Sequence, residues 1–156
     1  MKAKKRVPAV EGWFDYTSDS PHLLGSRCTA CKTYFFPKET TFCRNPSCDS
    51  SDFEEVALSR TGKLWSFTNN CYPPPAPYVS PEPFEPYVVA AVELEKEKMV
   101  VLGQVVAGVK VEDLMAGMTM QLVVETLSED DEHEYLVWKW VPVLEATAAA
   151  SMSASA

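Results

Sequence analysis

The chain has 156 residues, of which 46% are hydrophobic and 23% charged, the composition of one folded domain or two small ones rather than a disordered segment. No apolar run approaches the roughly 20 residues that cross a bilayer, and the N-terminus shows no apolar signal core; a cytoplasmic location, no membrane contact and reduced thiols are expected. Net charge is −8, and once Lys2, Lys4, Lys5 and Arg6 are set aside, the other ten basic residues face 22 acidic ones. A body at −12 repels phosphodiester backbones, which argues against a nucleic-acid partner.

Residues 1–9 read as a disordered, solvated basic tail. In residues 10–25, Val10, Trp13 and Phe14, then Leu23 and Leu24, are spaced for one or two helical turns, interrupted at Asp19-Ser20-Pro21. A short N-terminal helical segment is therefore predicted.

Residues 26–52 carry two cysteine pairs, Cys28/Cys31 spaced C-x2-C and Cys43/Cys48 spaced C-x4-C. Each pair can place two thiolates on one side of a tight turn, and two facing turns complete a tetrahedron. The gaps hold small or turn-forming residues, Thr29 and Ala30, then Asn45, Pro46 and Ser47. A structural Zn2+ site with all four positions filled by protein is expected. Two disulfides, four unrelated buried cysteines and an iron site are the alternatives, although an odd fifth cysteine, Cys71, argues against an oxidised framework. Tyr34 to Pro37 is predicted as a strand covering the metal. His22, six residues before Cys28, has a poor ligand spacing and is read as a non-ligand.

Residues 53–144 read as five strands. Lys63–Thr68 is the first, after Gly62. Residues 72–87 then hold seven of the twelve prolines, interleaved with Tyr72, Tyr78, Phe84 and Tyr87. Proline fixes φ and removes a donor, so this stretch is a long, stiff, partly extended loop, of a length that is usually functional. Val88–Leu94 and Met99–Val106 form a hairpin whose near-continuous apolar runs predict cover on both faces. A short helical turn follows at Val111–Met115. The last strands are Met118–Thr126, which alternates, and Tyr135–Val143, joined by an acidic turn in which His133 is solvated. Five strands with a long first loop and a short helix between the third and fourth are the order of an OB-fold barrel. Residues 145–156, mostly Ala and Ser, read as a disordered tail.

No catalytic constellation stands out. The two histidines lie near no nucleophile, the ribbon thiolates are taken by metal, and nothing local would activate Cys71. Three function classes remain. The first is an interaction subunit that docks a partner through rigid proline-backed aromatics, with Tyr72, Tyr78, Phe84 and Tyr87 as anchors. The second is a single-stranded nucleic-acid-binding zinc-ribbon/OB-fold protein, which wants a basic groove. The third is electron transfer by iron held on four thiolates.

The stretches "RCTACKTYFFP…CRNPSC", "GKLWSFTNN", "PYVVAAVELEKEKMVVLGQVV" and "DLMAGMTMQLVVE…WKWVPV" together resemble the rubredoxin-like zinc-ribbon plus OB-fold proteins that associate with acyl-CoA enzymes of the thiolase superfamily. The resemblance covers roughly residues 10–144; the C-x4-C pair is wider than the usual C-x2-C knuckle. It implies a mainly β protein that is not an enzyme on its own. It implies a non-catalytic accessory subunit in a heteromer, two plus two, with a thiolase-like protein. Such partners include the lipid-transfer-protein-like aldolases of steroid side-chain degradation and thiolases. The acyl-CoA would be bound together with the partner, whose site this subunit helps to form or stabilise during retro-aldol or fatty acyl-CoA degradation.

Overall fold

The computed structural model describes residues 2–144; the tail expected at 145–156 lies outside them. The described residues form ten strands and one 3-10 turn. Five strands make the barrel: β6 (Thr61–Asn70), β7 (Tyr87–Leu94), β8 (Met99–Val105), β9 (Thr119–Glu129) and β10 (His133–Pro142). β6, β7 and β8 form an antiparallel meander; β10 runs parallel to β8 and antiparallel to β9, and β9 pairs back onto β6. With the 3-10 turn Val111–Asp113 between β8 and β9, this closed circuit is the OB-fold barrel expected from the strand order.

Alternation puts one face of each strand inside. Leu64, Ala90, Val92, Val101, Val105, Met120, Leu122, Leu136 and Trp140 form the core. Room for the largest of them comes from Gly103, where an added Cβ would lie 2.8 Å from Trp140 Cδ1 and 3.0 Å from Trp138 Nε1. A glycine at this position lets both indoles approach the β8 backbone closely.

The N-terminal part is a second small sheet. β3 (His22–Cys28) is its spine, pairing with β2 (Phe14–Asp15), β4 (Tyr34–Phe35) and β5 (Phe53–Ala57). β4 falls where the ribbon strand is predicted. Residues 10–25 are not helical: Phe14 and Leu23, both buried, face each other across the β2–β3 pair. Their helical spacing arose because each apolar side chain answers a different neighbour. Gly12 takes a left-handed φ of +80°, and Gly25 lies against Leu58 and the Phe35 carbonyl, a contact that any Cβ would obstruct.

Residues 5–8, expected within a solvated tail, form β1 (Lys5–Pro8), paired parallel to the start of β10. The acidic β9–β10 hairpin supplies the reason, since Lys4 pairs with Glu129 (3.1 Å) and Arg6 with Glu134 (3.8 Å). The hairpin turn is held by Asp130. Its Oδ1 accepts the Glu132 and His133 amides (2.8 and 2.7 Å), and its Oδ2 accepts the Tyr135 hydroxyl (2.8 Å).

The two sheets are fastened together. Trp13 stacks on Trp138 (5.9 Å), and Phe36 meets both indoles edge-on (5.5 and 5.7 Å). The linker after β5 is pinned on both sides. Leu58 donates to the Leu23 carbonyl (2.9 Å), Arg60 Nε donates to the Pro21 carbonyl (2.7 Å), and the Arg60 carbonyl accepts from the Leu122 amide (2.7 Å). From the β7–β8 turn the buried Glu97 carboxylate accepts both the amide and the hydroxyl of Ser59 (2.8 Å each).

Two outcomes test these packing arguments. Gly103→Ala is expected to lower unfolding stability by about 1–3 kcal/mol through overpacking against the indoles, read as a lower urea midpoint with unchanged slope. Amide and hydroxyl donors, the Glu132 amide foremost, hold the Asp130 carboxyl down at about 2 from an ordinary 3.8. A depressed folded-state pKa stabilises above the unfolded value and is lost as pH falls through the folded one. The stability gap between the wild type and Asp130→Asn is therefore full above about pH 4–5 and narrows toward pH 2, measured by chemical denaturation across that range.

Candidate metal centre and docking surface

The first knuckle is a tight turn at the end of β3. The Lys32 amide donates to the Cys28 carbonyl and the Cys28 amide to the Thr33 carbonyl (2.9 Å each). This closure sets Lys32 in the left-handed region at φ 64°, a place usually given to glycine. The second knuckle is closed by the Cys43 amide on the Ser50 carbonyl (2.8 Å) and the Cys48 amide on the Asn45 carbonyl (3.0 Å). The wider C-x4-C spacing is taken up by this Asn45–Cys48 turn. The Thr29 amide donates to the Asp52 carbonyl (3.1 Å), tying one knuckle to the other.

Between the knuckles, Glu39 shapes the loop. Its Oε1 accepts the amides of Thr40 and Thr41 and the Thr41 hydroxyl, and its Oε2 accepts from Arg44. The Thr41 hydroxyl, and then the Arg44 guanidinium, hold this carboxyl at about 2. The Glu39 amide donates to the buried Ser26 hydroxyl (2.8 Å), which anchors the loop to β3.

The sulfurs of Cys28, Cys31, Cys43 and Cys48 lie within 4.8 Å of one another. All five cysteines, Cys71 included, are free thiols, which removes the disulfide alternative. Cys28 and Cys48 sulfurs are 3.8 Å apart, and those of Cys31 and Cys43 3.5 Å. A tetrahedron with metal–sulfur bonds of about 2.3 Å has sulfur–sulfur edges of about 3.8 Å, so the cluster has the size of a zinc site. The four thiols do not share charge evenly. The Thr33 hydroxyl lowers the Cys31 pKa to about 6, whereas burial pushes Cys43 up to about 12. Four ionised sulfurs this close need a bound dication to neutralise them.

His22 and His133 stand apart from this cluster: the His22 ring meets the Ser20 carbonyl (3.0 Å), and His133 lies 3.5 Å from Asp130. Cys71 is exposed at the end of β6, with its sulfur 3.5 Å from the Asn69 carbonyl.

The proline-rich stretch carries no strand or helix between Asn70 and Tyr87. Its four aromatics behave differently from one another. Tyr72 is 73% exposed. Tyr78 stacks on Tyr87 and Phe84 meets Tyr87 edge-on (6.2 Å each), so those three pack the loop onto the barrel. A cavity of about 500 Å³ opens under this loop, lined by Tyr78, Tyr87, Gln104, Val109, Lys110 and Leu127 among others. Sequence reasoning missed a set of exposed apolar residues elsewhere. Trp65, Val100 and Leu102 stand out on the barrel's outer surface, although both faces of β8 were expected to be covered. Their exposure was hidden by the same apolar composition that suggested burial.

Two family models match consecutive stretches of the chain: residues 19–54 match the ChsH2 rubredoxin-like zinc ribbon domain, and residues 55–125 the ChsH2 C-terminal OB-fold domain. A solved structure of an Ltp2-ChsH2(DUF35) aldolase superposes with a TM-score of 0.57 at 30% identity, covering 78% of this chain and 84% of that one. The benzoylsuccinyl-CoA thiolase subunit BbsA of Thauera aromatica is 49% identical over 51 residues, 33% of each chain. A probable enoyl-CoA hydratase alpha subunit of Thermomonospora curvata is 34% identical over 137 residues, 84% of this chain and 38% of that one. The matches thus span little more than a third of the length of these two curated relatives. The ribbon is a rubredoxin-like zinc ribbon, and its four close sulfurs fit a structural zinc ion.

Metal analysis is expected to find one zinc per chain. Cys28→Ser or Cys43→Ser removes it and unfolds the ribbon, since zinc contributes on the order of 10 kcal/mol to folding such a module. Cys71→Ser keeps full zinc content. Retained stoichiometric zinc in either ribbon variant would contradict the assignment of the four ligands.

Proposed function

This chain belongs to the ChsH2 family of zinc-ribbon/OB-fold proteins, and from that premise we propose that it is a non-catalytic accessory subunit of an acyl-CoA enzyme complex. In this reading it binds a thiolase-fold partner and helps to form or stabilise the partner's acyl-CoA site, with retro-aldol cleavage of a steroid side chain or fatty acyl-CoA degradation as the reaction. Zn2+ held by Cys28, Cys31, Cys43 and Cys48 serves the fold alone, because four protein ligands leave no position for water or substrate. The observation that carries the reading is the pairing of this closed sulfur site with a barrel that offers exposed aromatics and a mouth cavity. The named relatives, a thiolase subunit and an aldolase of two components, support the choice of partner.

Within the proline loop the geometry divides the proposed contacts. Tyr72, turned to solvent, is suited to anchor on the partner, since an exposed aromatic on a stiff backbone loses little entropy on binding. Tyr78, Phe84 and Tyr87 are suited to shaping the cavity at the barrel mouth. That cavity is amphipathic, with Tyr87, Val109 and Leu127 as its apolar side and Glu85, Lys110 and Glu112 among its charged lining; two carboxylates beside one lysine suit the uncharged acyl part of an acyl-CoA held jointly with the partner rather than its phosphates.

Co-expression with the thiolase-fold protein encoded nearest to it, followed by size exclusion with light scattering, is the test. One species containing both chains in equal number is expected. Two separate peaks would remove the accessory-subunit reading. Tyr72→Ala is expected to weaken the complex by about 1–2 kcal/mol with unchanged zinc content, measured by calorimetric titration.

A further inference from the structure

The barrel closes without β1. Its circuit runs through β10, β8, β7, β6 and β9 and back to β10. No side chain of β1 belongs to the buried core or to the half-buried residues packed against it; Lys5 and Arg6 are exposed, Val7 and Pro8 half-buried. What holds the strand is its main chain and its charge. The Lys5 amide donates to the Glu132 carbonyl (2.8 Å) and the Ala9 amide to the Leu136 carbonyl (2.7 Å), with the ion pairs Lys4–Glu129 and Arg6–Glu134 alongside. The four paired side chains are 32–60% exposed, so salt screens them. An element fixed in this way opens at lower cost than the core it lies on.

Opening it bares a strand edge. One edge of β10 is paired with β9 from Glu134 to Pro142, and β8 reaches the other edge only at Lys139 and Trp140. Over His133–Leu136 that second edge is covered, among the described residues, by β1 alone. A bare edge is a template for another strand. This one is selective, because Glu129 and Glu134 stand where basic side chains reach from a parallel strand, and Lys5–Pro8 is the sequence seen to fit there.

We propose that β1 is an exchangeable clasp: it opens independently of the barrel, and the bared edge of β10 takes β1 of a second copy. The occupant follows from identity of sequence. A second copy supplies the same strand, the same cations and the same parallel register, so the exchange repeats the native contacts and needs no new ones. In dilute solution the chain's own strand prevails, because its tether keeps it at an effective concentration of about a millimolar. Between β1 and β2 the backbone turns at Gly12, whose φ is +80° and where an added Cβ would meet nothing within 4 Å. That open glycine is a place where the connection can straighten.

The test needs only the full chain. Two double variants, Lys4→Glu/Arg6→Glu and Glu129→Lys/Glu134→Lys, each set like charges across their own clasp. Apart, each is expected to keep the zinc content of the wild type and to run as a monomer. Mixed in equal amounts, they are expected to form a one-to-one dimer by light scattering, since each strand meets opposite charge only on the other chain. In the wild type, hydrogen exchange at the Lys5 and Ala9 amides is expected to quicken at least about threefold between about 0.02 M and about 0.5 M salt. The barrel amide of Leu122 is expected to stay unchanged. Variants that remain monomeric when mixed would overturn the exchange, as would a dimer formed equally well by either variant alone. Should the variants fail to fold, the wild type still decides: Lys5 and Ala9 amides as slow as Leu122 at both salt concentrations would overturn independent opening.

Discussion

Four sulfurs gathered within 4.8 Å are the constraint on which the N-terminal half depends. Thiolates at that separation repel, and burial of Cys43 makes its ionisation still harder. A dication reverses the balance, turning mutual repulsion into four bonds. Around the sulfurs regular structure is sparse: β3 pairs with β5 over five positions, but β4 is only two residues long, and so small a sheet is marginal without a cross-link. The left-handed Lys32 belongs to the same account, because a strained turn persists when its surroundings leave it no alternative.

From that cage the order passes outward through β3. One end of this strand carries Cys28; near the other, Leu23 is buried beside Leu58 at the joint with the barrel. The joint combines the Trp13, Phe36 and Trp138 rings with the Glu97 carboxylate on Ser59. Apolar rings supply area there, and the carboxylate supplies direction. The metal-bearing sheet is thereby held at a set angle to the barrel, rather than hung from a flexible tether.

Much of this was legible in the residue order. Cysteine spacing specified the sulfur cluster, because a knuckle is a local turn whose geometry few residues decide. The five barrel strands fell where apolar runs alternate with turn signals, and the Met120 and Leu122 alternation marked the inner face of β9. What could not be read was long-range. The helical spacing of residues 10–25 is accidental, since Phe14 answers Leu23 and Trp13 answers Trp138, over 120 residues away. The basic segment at 5–8 was placed in solvent because its acidic counterparts lie at the far end of the sequence. The exposed Leu102 looked buried because composition cannot tell a covered sheet face from one that awaits cover. Of the four loop aromatics, one is presented outward and three pack together, a division set by ring contacts that spacing does not encode.

The pairing of β1 with β10 also has a consequence for biogenesis. Lys5 sits opposite His133, so during synthesis this segment finds its partner only when the barrel's last strand has emerged, well over a hundred residues later. Contacts of such sequence separation form slowly. Until then the segment must remain dissolved without a mate, and Lys4, Lys5 and Arg6 suit it to that wait: the cations that later clasp the acidic hairpin first keep the unpaired segment hydrated.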